Sequence, residues 1–109
     1  MSFLDAKDLN LSFARIKDAD LFVQYVEKAG ELMRRYDVKV FARGAFEAVI
    51  AGPAEAVSVG AVFRYRDMET ARAFFASEEY RALLPLREAA CDMMVVLIPE
   101  TGEAENERR

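Results

Sequence analysis

VSVGAVFRYR, residues 57–66, is the stretch from which the fold can be read. On an extended chain Val57, Val59, Ala61, Phe63 and Tyr65 fall on one face, and Ser58, Gly60, Val62, Arg64 and Arg66 on the other. A period of two, rich in β-branched and aromatic side chains, specifies a strand of a sheet. Asp67 follows at once and suits a helix N-cap, because its carboxylate can accept from the free N–H groups of a first turn. Met68, Ala71, Phe74 and Phe75 then recur at three and four, the spacing of a buried helix face.

Toward the C-terminus, Ser77 ends that helix and caps a second segment carrying Tyr80, Leu83, Leu84, Arg87 and Ala90. Pro85 cannot donate a backbone hydrogen bond, so a kink or a 3₁₀ turn is expected just before it. Residues 93–98 (MMVVLI) form the closing strand, which Pro99 stops. Both faces of that strand are apolar, which calls for cover on both sides. Toward the N-terminus, Ala51-Gly52-Pro53 signals a turn. Before it, residues 38–42 read as a strand, interrupted near Arg43-Gly44-Ala45 and resuming over 46–50, with Gly44 in a bulge or tight turn. Residues 9–16 (LNLSFARI) are the first strand, with Leu9, Leu11 and Phe13 alternating with Asn10, Ser12 and Ala14. Asp18 caps the helix between these two strands, whose stripe is Phe22, Tyr25, Val26, Ala29, Leu32, Met33 and Tyr36. Gly30 within it costs up to about 1 kcal/mol relative to alanine.

The order is βαββαβ: an α+β, ferredoxin-like protomer, with an antiparallel sheet and helices on one face. One domain is expected over residues 9–99, with an N-terminal extension over 1–8 and a polar C-terminal tail over 100–109. The second apolar face of strand 93–98 would otherwise meet water. A sheet from a second copy is the simplest cover, so a homodimer built face to face is expected. Val62 and Ile16 add apolar side chains on alternate faces of their own strands.

Composition narrows the function. The formal charge is −4, most of it in the termini, and no basic stripe exists, so nucleic acid is not an expected partner. No apolar run approaches the roughly 20 residues of a membrane helix, and the first residues do not resemble a secretory signal. The single cysteine, Cys91, rules out an intramolecular disulfide and points to a reducing compartment, hence a cytoplasmic location. There is no histidine, which removes the usual haem ligand, zinc ligand and general base, and with them Ser-His-Asp and Cys-His chemistry. The glycines are scattered and form no phosphate loop. No cofactor and no metal are expected.

Three features together resemble a small bacterial family, itself a domain of unknown function within the dimeric α+β barrel superfamily. They are Arg43-Gly44 after the second strand, the 57–66 strand running into Asp67-Met68-Glu69-Thr70-Ala71, and Ser77-x-Glu79-Tyr80-x₆-Arg87 ahead of the closing strand. The resemblance implies a protomer that pairs through its sheet into a barrel-like homodimer. It implies no activity, since that superfamily spans cofactor-free monooxygenases, lactone isomerases, haem enzymes and sensor domains.

Tyr80 and Arg87 are seven positions apart, two helical turns, and share a helix face. They are expected to point toward one cavity between the helix pair and the sheet, with Arg43 as a third member. A buried guanidinium needs an anion, so Arg87 should meet Glu47, with Glu79 the alternative, or a bound anionic metabolite. The ligand-binding candidates are therefore Arg87, Tyr80, Arg43 and Glu47. Each also has a plainer reading: Tyr80 as core filler, Arg87 in a structural ion pair, Arg43 at a strand edge. Ser77 reads as a cap. No catalytic residue is nominated. The functional expectation is a homodimer binding a small, anionic metabolite between sheet and helices. The alternatives are a cofactor-free enzyme on a small phenolic, keto or lactone substrate, and a purely structural module.

Overall fold

The computed structural model describes residues 8–99. Its elements are β1 (Asp8–Ile16), α1 (Ala19–Arg35), β2 (Lys39–Ala45), β3 (Val59–Tyr65), α2 (Met68–Ala76), α3 (Glu78–Arg81), α4 (Leu84–Ala90) and β4 (Cys91–Pro99). The strands form one sheet in the order β2-β3-β1-β4, with every neighbouring pair antiparallel. This is the expected ferredoxin-like arrangement. The readings of residues 1–7 and 100–109 lie outside the described residues.

Local chemistry sets the helix ends. The Leu21 amide donates to Asp18 at 3.0 Å and the Thr70 amide to Asp67 at 2.7 Å. Hydrogen bonding from Thr70, through its side chain foremost and then its amide, holds the Asp67 carboxyl below its usual pKa. The Ser77 hydroxyl donates to the Phe74 carbonyl at 2.7 Å and accepts from the Tyr80 amide at 3.1 Å. One serine therefore closes α2 and opens α3. Pro85 lies in the first turn of α4, where its missing N–H costs nothing, and the break expected before it separates α3 from α4.

The register fixes what each face carries. Asn10, Ser12 and Ala14 of β1 stand beside Phe63, Ala61 and Val59 of β3, and beside Leu97, Val95 and Met93 of β4. This is the face under the helices, where Phe63, Tyr65 and Ala14 are buried with Phe74, Tyr25 and Leu32. The more apolar face of β1, with Leu9, Leu11 and Phe13, points the other way. It lies in line with Val62 and with Met94, Val96 and Ile98, and Met94 is 61% exposed.

The second strand differs from expectation. β2 runs unbroken through Arg43 and Gly44, the register slips between Val40 and Ala42, and Gly44 takes φ +150°. Residues 46–50 do not resume it. The Phe46 amide still bonds the Ser58 carbonyl at 3.1 Å, but its ring turns over Gly60 and meets Phe13 edge-on, centroids 6.4 Å apart. A Cβ at position 60 would stand 2.7 Å from that ring, so the ring can lie here only over glycine and would have to shift for any larger residue. The turn at Gly52-Pro53 is present, with Gly52 at φ +102°.

Candidate functional site

A cavity of about 380 Å³ lies between α1 and the sheet, within the size range of small-molecule sites. Its origin is the choice of small residues in two rows of the sheet. One row reads Arg43, Ala61, Ser12, Val95 from β2 to β4; the next reads Ala45, Val59, Ala14, Met93. The alanines and Ser12 are too short to reach the helix. The roof is α1, through Phe22, Tyr25, Val26, Ala29, Gly30 and Met33, with Phe75 and Tyr80 closing the side.

Gly30 faces this space. A Cβ there would meet only Arg34 Nη1, at 3.9 Å, so packing does not demand glycine. Gly30→Ala should therefore raise stability by up to about 1 kcal/mol through helix propensity, read from urea unfolding. Gly30→Leu should fold and fill the cavity. An alanine variant less stable than the parent would contradict this account of the space.

The polar groups form a connected chain. Arg87 Nη1 donates to the Tyr80 hydroxyl at 2.9 Å, and its guanidinium stands 5.9 Å from the Tyr80 ring centre. The Tyr80 and Tyr25 hydroxyls are 2.9 Å apart, and the Tyr25 hydroxyl lies 3.9 Å from Met93 Sδ. Tyr25 is 6% exposed and Tyr80 3%. Burial foremost, with the neighbouring Tyr80, drives the Tyr25 pKa far above that of a free phenol, so it stays protonated. Burial opposes the Arg87 charge, but the Tyr80 hydroxyl and the surrounding phenols outweigh it and raise its pKa. Behind the cavity, Asn10 donates to Ser12 Oγ and to the Val96 carbonyl, each at 3.3 Å, and accepts from the Tyr65 hydroxyl at 3.4 Å.

Of the four candidates, Tyr80 and Arg43 line the cavity, and Arg87 reaches it through Tyr80. Glu47 is not brought there. It is exposed at the bend after β2, at the edge of the sheet opposite β4, into which α4 runs. Glu79 faces Arg35 instead, at 4.0 Å. Among the described residues Arg87 forms no ion pair within salt-bridge distance, and the Glu88 carboxylate acts on it only weakly from farther off. Arg87 remains half-buried, and the Tyr80 phenol oxygen stands where the expected carboxylate would be. Arg43 is exposed at the β2 edge, with no ion pair or hydrogen bond among the described residues. Cys91 is buried at the start of β4, its thiol 3.5 Å from the Arg87 carbonyl, and burial raises its pKa. It is held as a neutral thiol, not a nucleophile. Among the described residues no group of three metal-ligating side chains converges, and no helix is long and apolar enough to cross a membrane.

Tyr25, Asn10 and Ser12 were not singled out by sequence reasoning. The signal for Asn10 and Ser12 was present in β1, where the face alternating with Leu9, Leu11 and Phe13 carries an amide and a hydroxyl; Tyr25 only kept the apolar period of α1. A polar face turned toward helices implies polar work inside.

Solved structures share this fold. A protein of unknown function from Rhodopseudomonas palustris, RPA0582, superposes with a TM-score of 0.75 at 19% identity, over 90% of this chain and 85% of its own. A dimeric ferredoxin-like protein from Thermobifida fusca gives 0.60 at 19% identity, over 86% and 91%. SnoaB, a cofactor-independent oxygenase from Streptomyces nogalater, gives 0.65 at 8% identity, over 89% and 95%. No curated protein matches. The domain of unknown function DUF1330 matches residues 11–101, nearly the whole of the described fold, and the chain belongs to that family.

Proposed function

We propose that this protein is a cytoplasmic homodimer that binds a small, mostly apolar, anionic metabolite between its sheet and helices. The carrying observation is the cavity of about 380 Å³, with Arg43 at its β2 edge and the Tyr25–Tyr80 pair toward β4. Its walls supply apolar contact, and Arg43, with no anion of its own among the described residues, supplies charge to a ligand entering at that edge. Tyr80 contacts the ligand, and Arg87 acts through Tyr80. A core with space left in it argues against a purely structural module. The dimer rests on the uncovered apolar face of β1, β3 and β4, and the Thermobifida fusca protein of like fold is dimeric.

A second reading, a cofactor-free enzyme on a keto or phenolic substrate, draws on the protonated Tyr25 inside an apolar cavity and on the fold shared with SnoaB. The Tyr25 phenol suits an acid or an oxyanion donor, not a base.

The test is thermal unfolding with millimolar benzoate, phenylpyruvate and 4-hydroxybenzoate. A ligand held native-only at a hundred times its Kd adds about 2.7 kcal/mol, several degrees in a domain of this size. Arg43→Gln should reduce the shift while leaving the ligand-free Tm in place. No shift with any probe, or an undiminished shift in Arg43→Gln, counts against the reading.

A further inference from the structure

The direction of the hydrogen bonds in the Arg87–Tyr80–Tyr25 chain determines what the inner end of the cavity wants. A guanidinium only donates, so Arg87 gives its hydrogen to the Tyr80 oxygen. The Tyr80 proton must then go elsewhere, and the Tyr25 oxygen at 2.9 Å is its acceptor. In the reverse order Tyr25 would give to Tyr80, and the Tyr80 proton would have no acceptor among the described residues. Only the order Arg87 to Tyr80 to Tyr25 places every proton. It leaves the Tyr25 hydrogen facing Met93 Sδ at 3.9 Å, a weak thioether acceptor, at the wall of an apolar cavity. The chain starts at a cation and ends at a donor with no strong acceptor, so each bond polarises the next.

We propose that the Tyr25 hydroxyl is the docking point for a neutral carbonyl oxygen, that of a ketone or aldehyde with an apolar body. This rests on the binding reading above and names the group bound at the inner end. A carboxylate fits there poorly, because Arg87 stands behind Tyr80 and does not line the cavity. A buried carboxylate without a contacting cation would be costly. Any negative charge on the ligand belongs at Arg43 of β2, three strand spacings across the sheet from Met93 of β4, which the Tyr25 hydroxyl faces, roughly 14 Å between strand backbones. The long Arg43 side chain takes up part of that span. The ligand class is therefore a keto acid, or its neutral ketone analogue, with the two groups at opposite ends. Tyr25 touches the ligand's carbonyl; Tyr80, which also contacts the ligand's body, and Arg87, which does not, orient and polarise the Tyr25 hydrogen.

The experiment compares ethylbenzene, acetophenone and 4-acetylbenzoate by calorimetry on the intact protein. Ethylbenzene and acetophenone share a shape and differ in one carbonyl, so acetophenone should bind roughly ten-fold tighter, the effect of one hydrogen bond. 4-Acetylbenzoate should bind tighter still and lose that gain in Arg43→Gln. Tyr25→Phe should abolish the preference for acetophenone over ethylbenzene while keeping ethylbenzene binding. Tyr80→Phe and Arg87→Met should shrink the preference without removing it. Infrared difference spectra of carbonyl-¹³C acetophenone on the parent protein provide a readout that needs no variant. The carbonyl stretch should fall below its value in an apolar solvent, and by less when Tyr80 or Arg87 is replaced. Equal affinity for ethylbenzene and acetophenone, or an unshifted carbonyl band, overturns the proposal and leaves the cavity reading standing. Failure of all three probes to bind overturns both.

Discussion

Phe74→Ala will lower the unfolding free energy by about 3–5 kcal/mol, the range for truncating a fully buried aromatic ring. Phe74 is 0% exposed and sits at the centre of the aromatic cluster. Its ring centroid lies 5.0 Å from that of Phe75, 5.2 Å from Tyr80, 5.4 Å from Tyr36 and 6.0 Å from Tyr65. These rings come from β3, α2, α3 and the C-terminal end of α1, so no single element can move in to refill the space. A domain of this size has only about 5–15 kcal/mol in total, so the variant should lie near the edge of folding. Urea unfolding followed by circular dichroism measures the loss. A decrease under 1 kcal/mol would mean that the helix layer collapses onto the vacancy and that this cluster does not anchor it. Because Phe74 packs on Tyr80, the damage should also reach the site: any ligand-induced Tm shift should shrink even in conditions where the variant stays folded.

The features that sequence made legible are those whose partners lie close along the chain. Asp18, Asp67 and Ser77 each cap an amide three residues on, so residue type and position were enough to place them. Pro85 announced a break because its ring acts on its own turn. The pairing of Tyr80 with Arg87 followed from helical spacing in the same way, and the two do meet, at 2.9 Å. The identity of the Arg87 partner did not follow, since it depends on how far apart the sheet edges are. Glu47 and Arg87 belong to opposite ends of a four-strand order that no local pattern encodes.

A cavity was expected between the sheet and the later helix pair, but its place under α1 was hidden for a similar reason. Ala61, Ser12, Ala14 and Ala45 are ordinary residues singly, and only register puts them side by side. Tyr25 kept the period of an apolar stripe, and that period is the same whether the stripe meets a filled core or an open space. Residues 46–50 were misread as a strand because FEAVI has the composition of one. The glycine that lets Phe46 cross the sheet lies fourteen positions away, at Gly60.

Val96→Asp will turn the proposed dimer into monomers. Val96 stands opposite Leu11 on the face of the sheet that the helices leave uncovered, in line with Met94 and Ile98. A loop already covers one corner of that face, through Phe46 on Phe13. Leu9, Leu11, Val62, Met94, Val96 and Ile98 are left as a continuous apolar surface. Arg64 sits on the same face, its guanidinium 5.0 Å from the Phe41 ring centre, with its Nε buried and without a hydrogen-bond partner among the described residues. An acceptor from a second copy would complete it. Face-to-face pairing about a two-fold axis would bury this surface, and a stable interface of that kind covers about 1,200–2,000 Å². By the same symmetry one substitution places two unpaired carboxylates in the apolar seam, each costing several kcal/mol to desolvate. Light scattering on the parent protein at micromolar concentration should give twice the 12.3 kDa chain mass, and on Val96→Asp the chain mass alone. Val95→Asp is the matched control: its side chain lies on the opposite face, on the cavity floor, so it should impair ligand binding or folding and not pairing as such. A parent protein that is monomeric, or a Val96→Asp variant that remains a soluble dimer, would show that the copies meet through some other surface or do not meet at all.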